Sequence, residues 1–498
     1  MSIRRKTILY SMGSGISQAA ILLRGIVIAR LIGSENMGVA AILIAVTSFG
    51  EMVTATGGDR FLIQDREGDK PHAAAALQLV AIVRGVLLSG ALAILAIPFA
   101  RLFGIEDAWG GLLALALVPF FRGFQSLDAI VQQRALRLTP RMLMELSGEL
   151  LALVVGAIVA YLLRDWRAVV AALIAQSAAV LLVSHLVARR SFQLGYDRDV
   201  CRRATKFALP LLASSVLLFL ALHGDRLAMA VVEQATGAKK YDLSELGRYL
   251  VAGSVAVLPV RTSANLLRNV FLPWIRTSTT PVQAGDRRRD LLLGFSIVVM
   301  FYMTFAVAMG GELIELLFGR VFANLHDIVA VLSIAQGLRV LRVISNIAAI
   351  SCGDTVNTFW GSLARISGVM LAVIFVAMGM PIVMLAVASV IGEAVALLVC
   401  ELSLRRLHPE RAGPRWPMFV SVALLTVASG VAWVCHAHFG PWKGSVVTVV
   451  ICLAIVAGLL ASFSPLRDAC GNILSVVVAR RRSGSGSKSP RALGMDEG

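Results

Sequence analysis

The sequence is short of charge. Only 15% of its 498 residues are Asp, Glu, Lys or Arg, against about 25% in soluble domains, which excludes an ordinary water-soluble fold. Aromatic residues are few as well, at 7%, too few to line a cavity for cationic drugs. Cysteine gives no disulfide framework: Cys352, Cys400 and Cys452 fall in or near expected helices, Cys201 and Cys470 face the cytoplasm, and only Cys435 nears the outer surface. The phosphate-binding pattern G-x-x-x-x-G-K-[ST] is missing, which argues against ATP hydrolysis, and H-E-x-x-H is missing too. With no carboxylate pair in an outer loop to suggest sugar transfer, no enzymatic chemistry and no cofactor is expected.

What the chain has is apolar length. Hydrophobic residues make up 57% and the mean hydropathy is +0.79. A hydrocarbon core about 30 Å thick takes about 20 residues of helix, and runs of that length recur from Ile8 to Phe463. The expected fold is an all-α polytopic membrane protein with about fourteen spans. They lie near 10–32, 37–58, 73–99, 109–131, 143–163, 168–188, 207–232, 249–273, 291–310, 325–350, 359–379, 381–402, 417–435 and 444–463. The N-terminus has the charge and apolar run of a signal peptide, but Arg24 and Arg30 interrupt that run, so a retained first helix is expected. The Ser-, Gly- and Lys-rich end, 467–498, reads as a disordered basic tail.

The formal charge of +17 is a matter of topology. With both termini cytoplasmic, thirty Lys and Arg fall on the cytoplasmic side and eight on the other, the positive-inside asymmetry. The triplets Arg287–Arg289 and Arg480–Arg482 read as topology signals and contacts to anionic lipid, and no nucleic-acid partner is expected.

Nine basic residues remain inside the spans, and all are arginine: Arg24, Arg30, Arg84, Arg122, Arg226, Arg261, Arg268, Arg339 and Arg342. Each costs about 2.5–3.5 kcal/mol at mid-membrane on insertion scales. Guanidinium stays charged and grips phosphate or carboxylate through a planar fork, unlike lysine. On an ideal helix Arg261 and Arg268, seven apart, lie within about 20° of each other. Ser254 and Asn265 share their arc, as Arg339, Arg342 and Asn346 share another. Such stripes should face an interior cavity. The candidate substrate-binding set is therefore Arg24, Arg261, Asn265, Arg268, Arg339 and Arg342. The competing reading pairs these arginines with Glu51, Asp128, Glu145, Glu149, Asp225, Glu393 and Glu401, or lets Arg30, Arg226 and Arg268 snorkel. Asp225, Glu51 and Glu145 are the possible ion-coupling carboxylates. His223 beside Asp225 reads first as a buried hydrogen bond. Cys435-His436-Ala437-His438 lacks a fourth ligand and reads as an interfacial polar cluster, so no metal site is expected.

Two stretches echo each other. GVAAILIAVTSFGEMVTATGGDRFLIQ starts at Gly38, and GRYLVAGSVAVLPVRTSANLLRNVFLP starts at Gly247. Both open on glycine and reach an arginine near the cytoplasmic end, as in transporters built from repeats.

The segment ARLIGSENMGVAAILIAVTSFGEMVTATGGDRFLIQD (29–65) resembles the opening of Wzx-type lipid-linked oligosaccharide flippases. These are polysaccharide exporters of the multidrug/oligosaccharidyl-lipid/polysaccharide (MOP) superfamily. Ala29 to Gly33, Glu35, Gly38 and Leu62 to Gln64 carry the likeness, with Asp225, Ala256 to Pro259 and ELIELLFGRVF (312–322) adding to it. The resemblance implies two six-helix lobes, 1–200 and 201–408, around a central cationic cavity, with an extra helix pair in 409–466. It further implies alternating-access translocation of undecaprenyl-pyrophosphate-linked repeat units for exopolysaccharide, capsule or O-antigen, in a bacterial inner membrane, with polysaccharide polymerase machinery as a possible partner. A cation-coupled multidrug exporter and a peptidoglycan-precursor flippase are the alternatives on the same fold.

Overall fold

The computed structural model describes residues 3–54, 61–62, 65, 67, 70–134, 137–236, 241–354 and 356–482; some helical side chains, including those of Arg261 and Asn265, lie outside the description. Every element among the described residues is helical. Backbone polar groups find no partner in hydrocarbon, and a helix satisfies them within its own segment. The N-terminal group comprises α1 (Ile3–Thr54), α2 (Pro71–Leu102), the short helices α3 (Trp109–Leu115), α4 (Leu117–Gly123) and α5 (Asp128–Arg134), then α6 (Thr139–Leu163) and α7 (Arg167–Leu186). The next group runs through α8 (Arg198–Thr236), α9 (Leu243–Ala256), α10 (Leu258–Leu266), α11 (Leu272–Arg276), α12 (Pro281–Phe318), α13 (His326–Ser351), α14 (Val356–Ala377) and α15 (Val383–Leu407). A short α16 (Pro409–Ala412) leads to α17 (Trp416–Ser462) and α18 (Ser464–Arg482).

Among the described residues eleven helices are long and apolar enough to cross a membrane, and the pair Glu106–Gly123 and Asp128–Arg134, bent by 50°, makes a twelfth if counted as one span. Straight, the 52 residues of α1 would reach roughly 78 Å, far beyond one bilayer. The helix instead turns at Gly33 (φ 79°, ψ 178°), a backbone region that costs a side chain dearly and glycine little. Gly440 (φ 71°) turns α17 in the same way. Dividing α1 at Gly33 and counting 243–276 as one broken crossing gives the fourteen spans expected. That crossing breaks because Pro259 starts α10 without an N–H to donate, and because residues Leu267–Phe271 wind as a π-helix.

The two groups share their largest apolar core at one end of the bundle. One apolar core joins α1 residues Ile32, Ala40 and Leu43 to Leu112 and Val169, and to Leu246, Tyr249, Phe318 and Leu332 of the second group. All lie toward the end where α1 turns at Gly33. There Ser34 and Ser244 hydroxyls are 2.6 Å apart, and the Tyr241 hydroxyl donates to the Met380 carbonyl. At the other end, where Ile3 lies, the cores are separate. One holds Phe61, Leu62, Leu77 and Val131; another holds Leu267, Phe271, Leu291 and Leu341. The lobes are thus sealed at the Gly33 end, while at the Ile3 end their cores are separate and the first turns of α8 pack with the N-terminal one.

Helix α8 passes between the two groups. Its first turns, Val200 and Ala204, pack with Phe61 and Leu62. Arg203 Nη2 lies 2.8 Å from Glu67, and Lys70 Nζ lies 2.6 Å from the same carboxylate. The Lys70 hydrogen bond first, and Arg203 second, hold the Glu67 carboxyl below its usual range. A depressed carboxyl contributes stability above its unfolded-state value and loses it as pH falls. The difference in melting temperature between the wild type and Glu67→Gln is expected to narrow as pH drops below about 4.5, the ordinary value of the group. An unchanged difference would show that the clamp carries no stability.

Two expectations are corrected here. The chain past 467 is helical through Arg482 rather than disordered: Leu466 and Ala469 are buried against Leu293, and Asn472 donates to Asp290 at 2.8 Å. Residues 483–498 lie outside the described residues. Arg288 is no surface topology signal. It is 1% exposed and sits 2.5 Å from Glu401, with further bonds to Ser345 and the Ala412 carbonyl. Its neighbours Arg287 and Arg289 stay nearer the surface, because α12 begins at Pro281 and places only one of the three toward the core.

Candidate functional site

Five of the nine intramembrane arginines, Arg24, Arg84, Arg122, Arg339 and Arg342, stand in two clusters, one per lobe. In the N-terminal group, Arg24 of α1 lies 3.1 Å from Glu149 of α6, and Arg122 of α4 lies 2.7 Å from Glu51 of α1. Arg141 lies 3.0 Å from Glu145. Gln176 donates to the other Glu149 oxygen at 2.6 Å. These side chains surround a cavity of about 330 Å³ lined by Arg84, Arg122, Arg141, Glu145, Glu149 and Gln176. The bent connection between α4 and α5 lines the same space through Gln125, Ser126 and Leu127.

In the C-terminal group three guanidinium groups converge on one carboxylate. Arg342 of α13 lies 3.0 Å from Glu393 of α15, Arg365 of α14 lies 2.8 Å away, and Arg339 lies 3.7 Å away. Glu393 is 1% exposed, and each arginine side chain is at most 13% exposed. Three guanidinium groups thus share one carboxylate in a place where desolvation makes charge expensive. Arg365 Nη1 and Asn346 Oδ1 are buried there without a hydrogen-bond partner among the described residues. A planar anion is the chemistry that such a cluster of forked donors accepts.

Between the lobes lies a second cavity, of about 230 Å³, lined by Gln18, Arg24, Ile44, Leu173, Ser254 and Leu258 among others. Arg24 faces this cavity while its partner Glu149 lines the first. The Arg24–Glu149 pair therefore forms the wall between them. An anion in the inter-lobe cavity would compete with Glu149 for Arg24.

Of the residues singled out in the sequence, Arg24, Arg339 and Arg342 stand in these clusters. The side chains of Arg261 and Asn265 lie outside the described residues. Arg268 is exposed, whereas its neighbour Leu267 is buried. The polar stripe reckoned from α-helical spacing does not run unbroken, because π-winding begins at Leu267 and re-phases every residue after it. Glu51 and Glu145 are each held by an arginine. Asp225 accepts the Tyr249 hydroxyl at 2.8 Å and the Arg226 backbone N–H at 2.9 Å. His223 stacks on Phe219, ring centroids 5.2 Å apart, rather than bonding to Asp225.

Arg141 and Arg365 are absent from the candidate set: Arg141 lies just before the span expected at 143–163, and Arg365, though inside the span expected at 359–379, was counted with the cytoplasmic segment ahead of it. The signal was present for Arg365: α14 starts at Val356, two turns and more before it, and the apolar run continues without a break. For Arg141 the helix begins at Thr139 with Pro140 in its first turn, a start signal the sequence carried.

The fold is that of MOP superfamily transporters. The chain is similar to a lipid II flippase, MurJ, in an inward closed conformation, with a TM-score of 0.69 at 13% identity over 95% of this chain and 100% of that one. It is similar to an inward-facing MATE-family multidrug resistance transporter, at 0.58 and 17% identity over 82% and 96%. A MOP transporter from Pyrococcus furiosus, described as having a binding pocket of reverse polarity, matches at 0.51 and 16% identity over 83% and 96%. The chain belongs to the polysaccharide biosynthesis protein family, whose model matches residues 27–327. No curated protein matches the sequence.

Proposed function

We propose that the protein is a flippase that carries a pyrophosphate-linked saccharide on a polyprenyl lipid from the inner to the outer leaflet of a bacterial cytoplasmic membrane. The observation that carries this reading is the convergence of arginines: three guanidinium groups on Glu393, with Arg24 on the wall of the inter-lobe cavity. Pyrophosphate and uronic acids are what forked, permanently charged donors bind best. The family's connection to polysaccharide biosynthesis and the structural relative, a lipid II flippase, support the same substrate class. A drug exporter for cations would need the opposite balance.

In this reading segments 1–200 and 201–408 act as the moving lobes. The seal at the Gly33 end and the separate cores at the Ile3 end describe a state that faces the cytoplasm, where both termini lie and where the lipid-linked unit is made. The lipid tail stays in the bilayer, and an apolar groove of about 490 Å³ lined by Met303, Ile334, Leu338, Leu425 and Trp433 offers it a surface. The repeat units are assigned to exopolysaccharide, capsule or O-antigen, and polymerase machinery on the outer side would receive them. Without a nucleotide site, the drive is an ion or substrate gradient, with Asp225, Glu51 and Glu145 as coupling carboxylates.

Deleting the gene is expected to abolish surface polysaccharide and leave lipid-linked repeat units on the cytoplasmic leaflet, measured by glycan staining and leaflet-specific labelling. Wild type should restore export, and Arg24→Gln should restore less than about a tenth of it. Intact polysaccharide together with new drug sensitivity would overturn the reading in favour of a multidrug exporter. Lysis on depletion would favour peptidoglycan precursor instead.

A further inference from the structure

Three helices bring metal-binding side chains together near the Gly33 end, far from either arginine cluster. Glu312 comes from α12, His326 from the first residue of α13, and His436 from α17 just before its turn at Gly440. One donor atom from each lies within 4.8 Å of the other two. The segment around His436 looked in sequence like an isolated polar patch, because the other two residues are more than a hundred positions away.

The hydrogen bonding favours a ligand role. His436 Nδ1 lies 3.0 Å from the Ala308 carbonyl. A carbonyl oxygen only accepts, so Nδ1 carries the proton, and the lone pair is on Nε2. Metal-ligating histidines are fixed in this way by a backbone carbonyl on their other nitrogen. Both ring nitrogens of His326 and Oε2 of Glu312 are buried with no hydrogen-bond partner among the described residues. Three orphaned polar atoms at one spot in a membrane protein are costly unless something occupies the space between them.

We propose that Glu312, His326 and His436 bind a divalent transition-metal ion of the zinc type, fastening α17 to α12 and α13. Two imidazoles and a carboxylate suit zinc chemistry, with a fourth position left for water. The His326 and His436 rings are stacked, centroids 3.6 Å apart and planes 13° apart. Two stacked rings cannot both aim in-plane lone pairs at one ion. His436 is anchored through Ala308, so His326, which has no such anchor, is the ring that turns. Ligand atoms around tetrahedral zinc are roughly 3.3 Å apart for bonds of about 2.0–2.1 Å. Donor atoms now within 4.8 Å of one another therefore need to close by up to about 1.5 Å.

The test uses the full-length protein in detergent, purified on a tag without histidine, stripped with chelator and titrated with zinc chloride. One zinc per chain is expected by elemental analysis. His326→Ala and His436→Ala should each weaken binding at least about 10-fold, a loss seen even for outer-shell partners of metal sites. His438→Ala, whose ring bonds to the Val434 carbonyl of its own helix, should leave it unchanged. Absence of stoichiometric zinc, or equal binding by the His326→Ala/His436→Ala double variant, would overturn the proposal. Should those variants fail to insert, Glu312→Gln keeps the volume, and the wild type loaded with cobalt(II) gives a second readout. Visible d–d bands without thiolate charge transfer support this ligand set. A thiolate band, which would implicate Cys435, or no band at all, rules it out.

Discussion

Replacing Glu393 with glutamine is expected to destabilise the protein more than any other single polar change. The carboxylate is 1% exposed and stands within 3.7 Å of Arg339, Arg342 and Arg365. Glutamine preserves the shape and removes the charge, leaving three guanidinium groups facing one another. Breaking a buried ion pair by removing one partner costs about 3–5 kcal/mol, and here one removal takes a shared partner from three guanidinium groups. The thermal midpoint of the monodisperse protein in detergent should fall sharply, and the yield of inserted protein with it. Adding Arg365→Gln to Glu393→Gln should recover part of the loss, because it lowers the stranded charge. A midpoint equal to that of the wild type would mean that water or another anion already balances the arginines.

The second large effect is steric. A Cβ at Gly38 would lie 1.8 Å from the Leu243 carbonyl oxygen, and one at Gly247 would lie 2.0 Å from the Ser34 carbonyl oxygen. Backbone atoms cannot give way as a flexible side chain can, so Gly38→Ala or Gly247→Ala must push α1 and α9 apart. This is the seam that seals the lobes, since Ser34 and Ser244 bond across it. Either alanine should abolish transport in a protein that still inserts. A cysteine placed at Ser34, buried in the seam, should react slowly with a polar maleimide in the wild-type background and quickly beside Gly247→Ala. Slow labelling together with full export would show that the seam tolerates the added carbon.

The seam gives a physical sense to the internal echo. Gly38 and Gly247 open the two similar stretches, and the fold sets these two glycines against each other. Paired halves that each begin on a glycine can bring their backbones into contact, as small residues permit between helices in a membrane. That pairing was legible as a pattern, while its meaning required the contact. Other readings failed at helix ends. Arg365, near the start of its expected span, was counted with the loop before it, and Arg288 with a charged surface, because hydropathy marks where a helix is apolar rather than where it starts. Helices α12 and α14 begin earlier than their apolar runs, so arginines near those starts are drawn into the bundle.

By itself the sequence determined the helical class and the fourteen crossings, since apolar length and the cost of unpaired backbone in lipid leave no other structure. Residue type also determined the arginine-only charge within the spans, because side-chain chemistry needs no fold. Which partner each arginine takes was decided only by the tertiary structure. Glu393 meets arginines 28, 51 and 54 positions before it, and a period along one helix cannot report a meeting of three. The same holds for Glu312, His326 and His436. The π-turn at Leu267–Phe271 makes the point locally: one change of winding re-aimed Arg268, and no count of residues along the chain could have placed it.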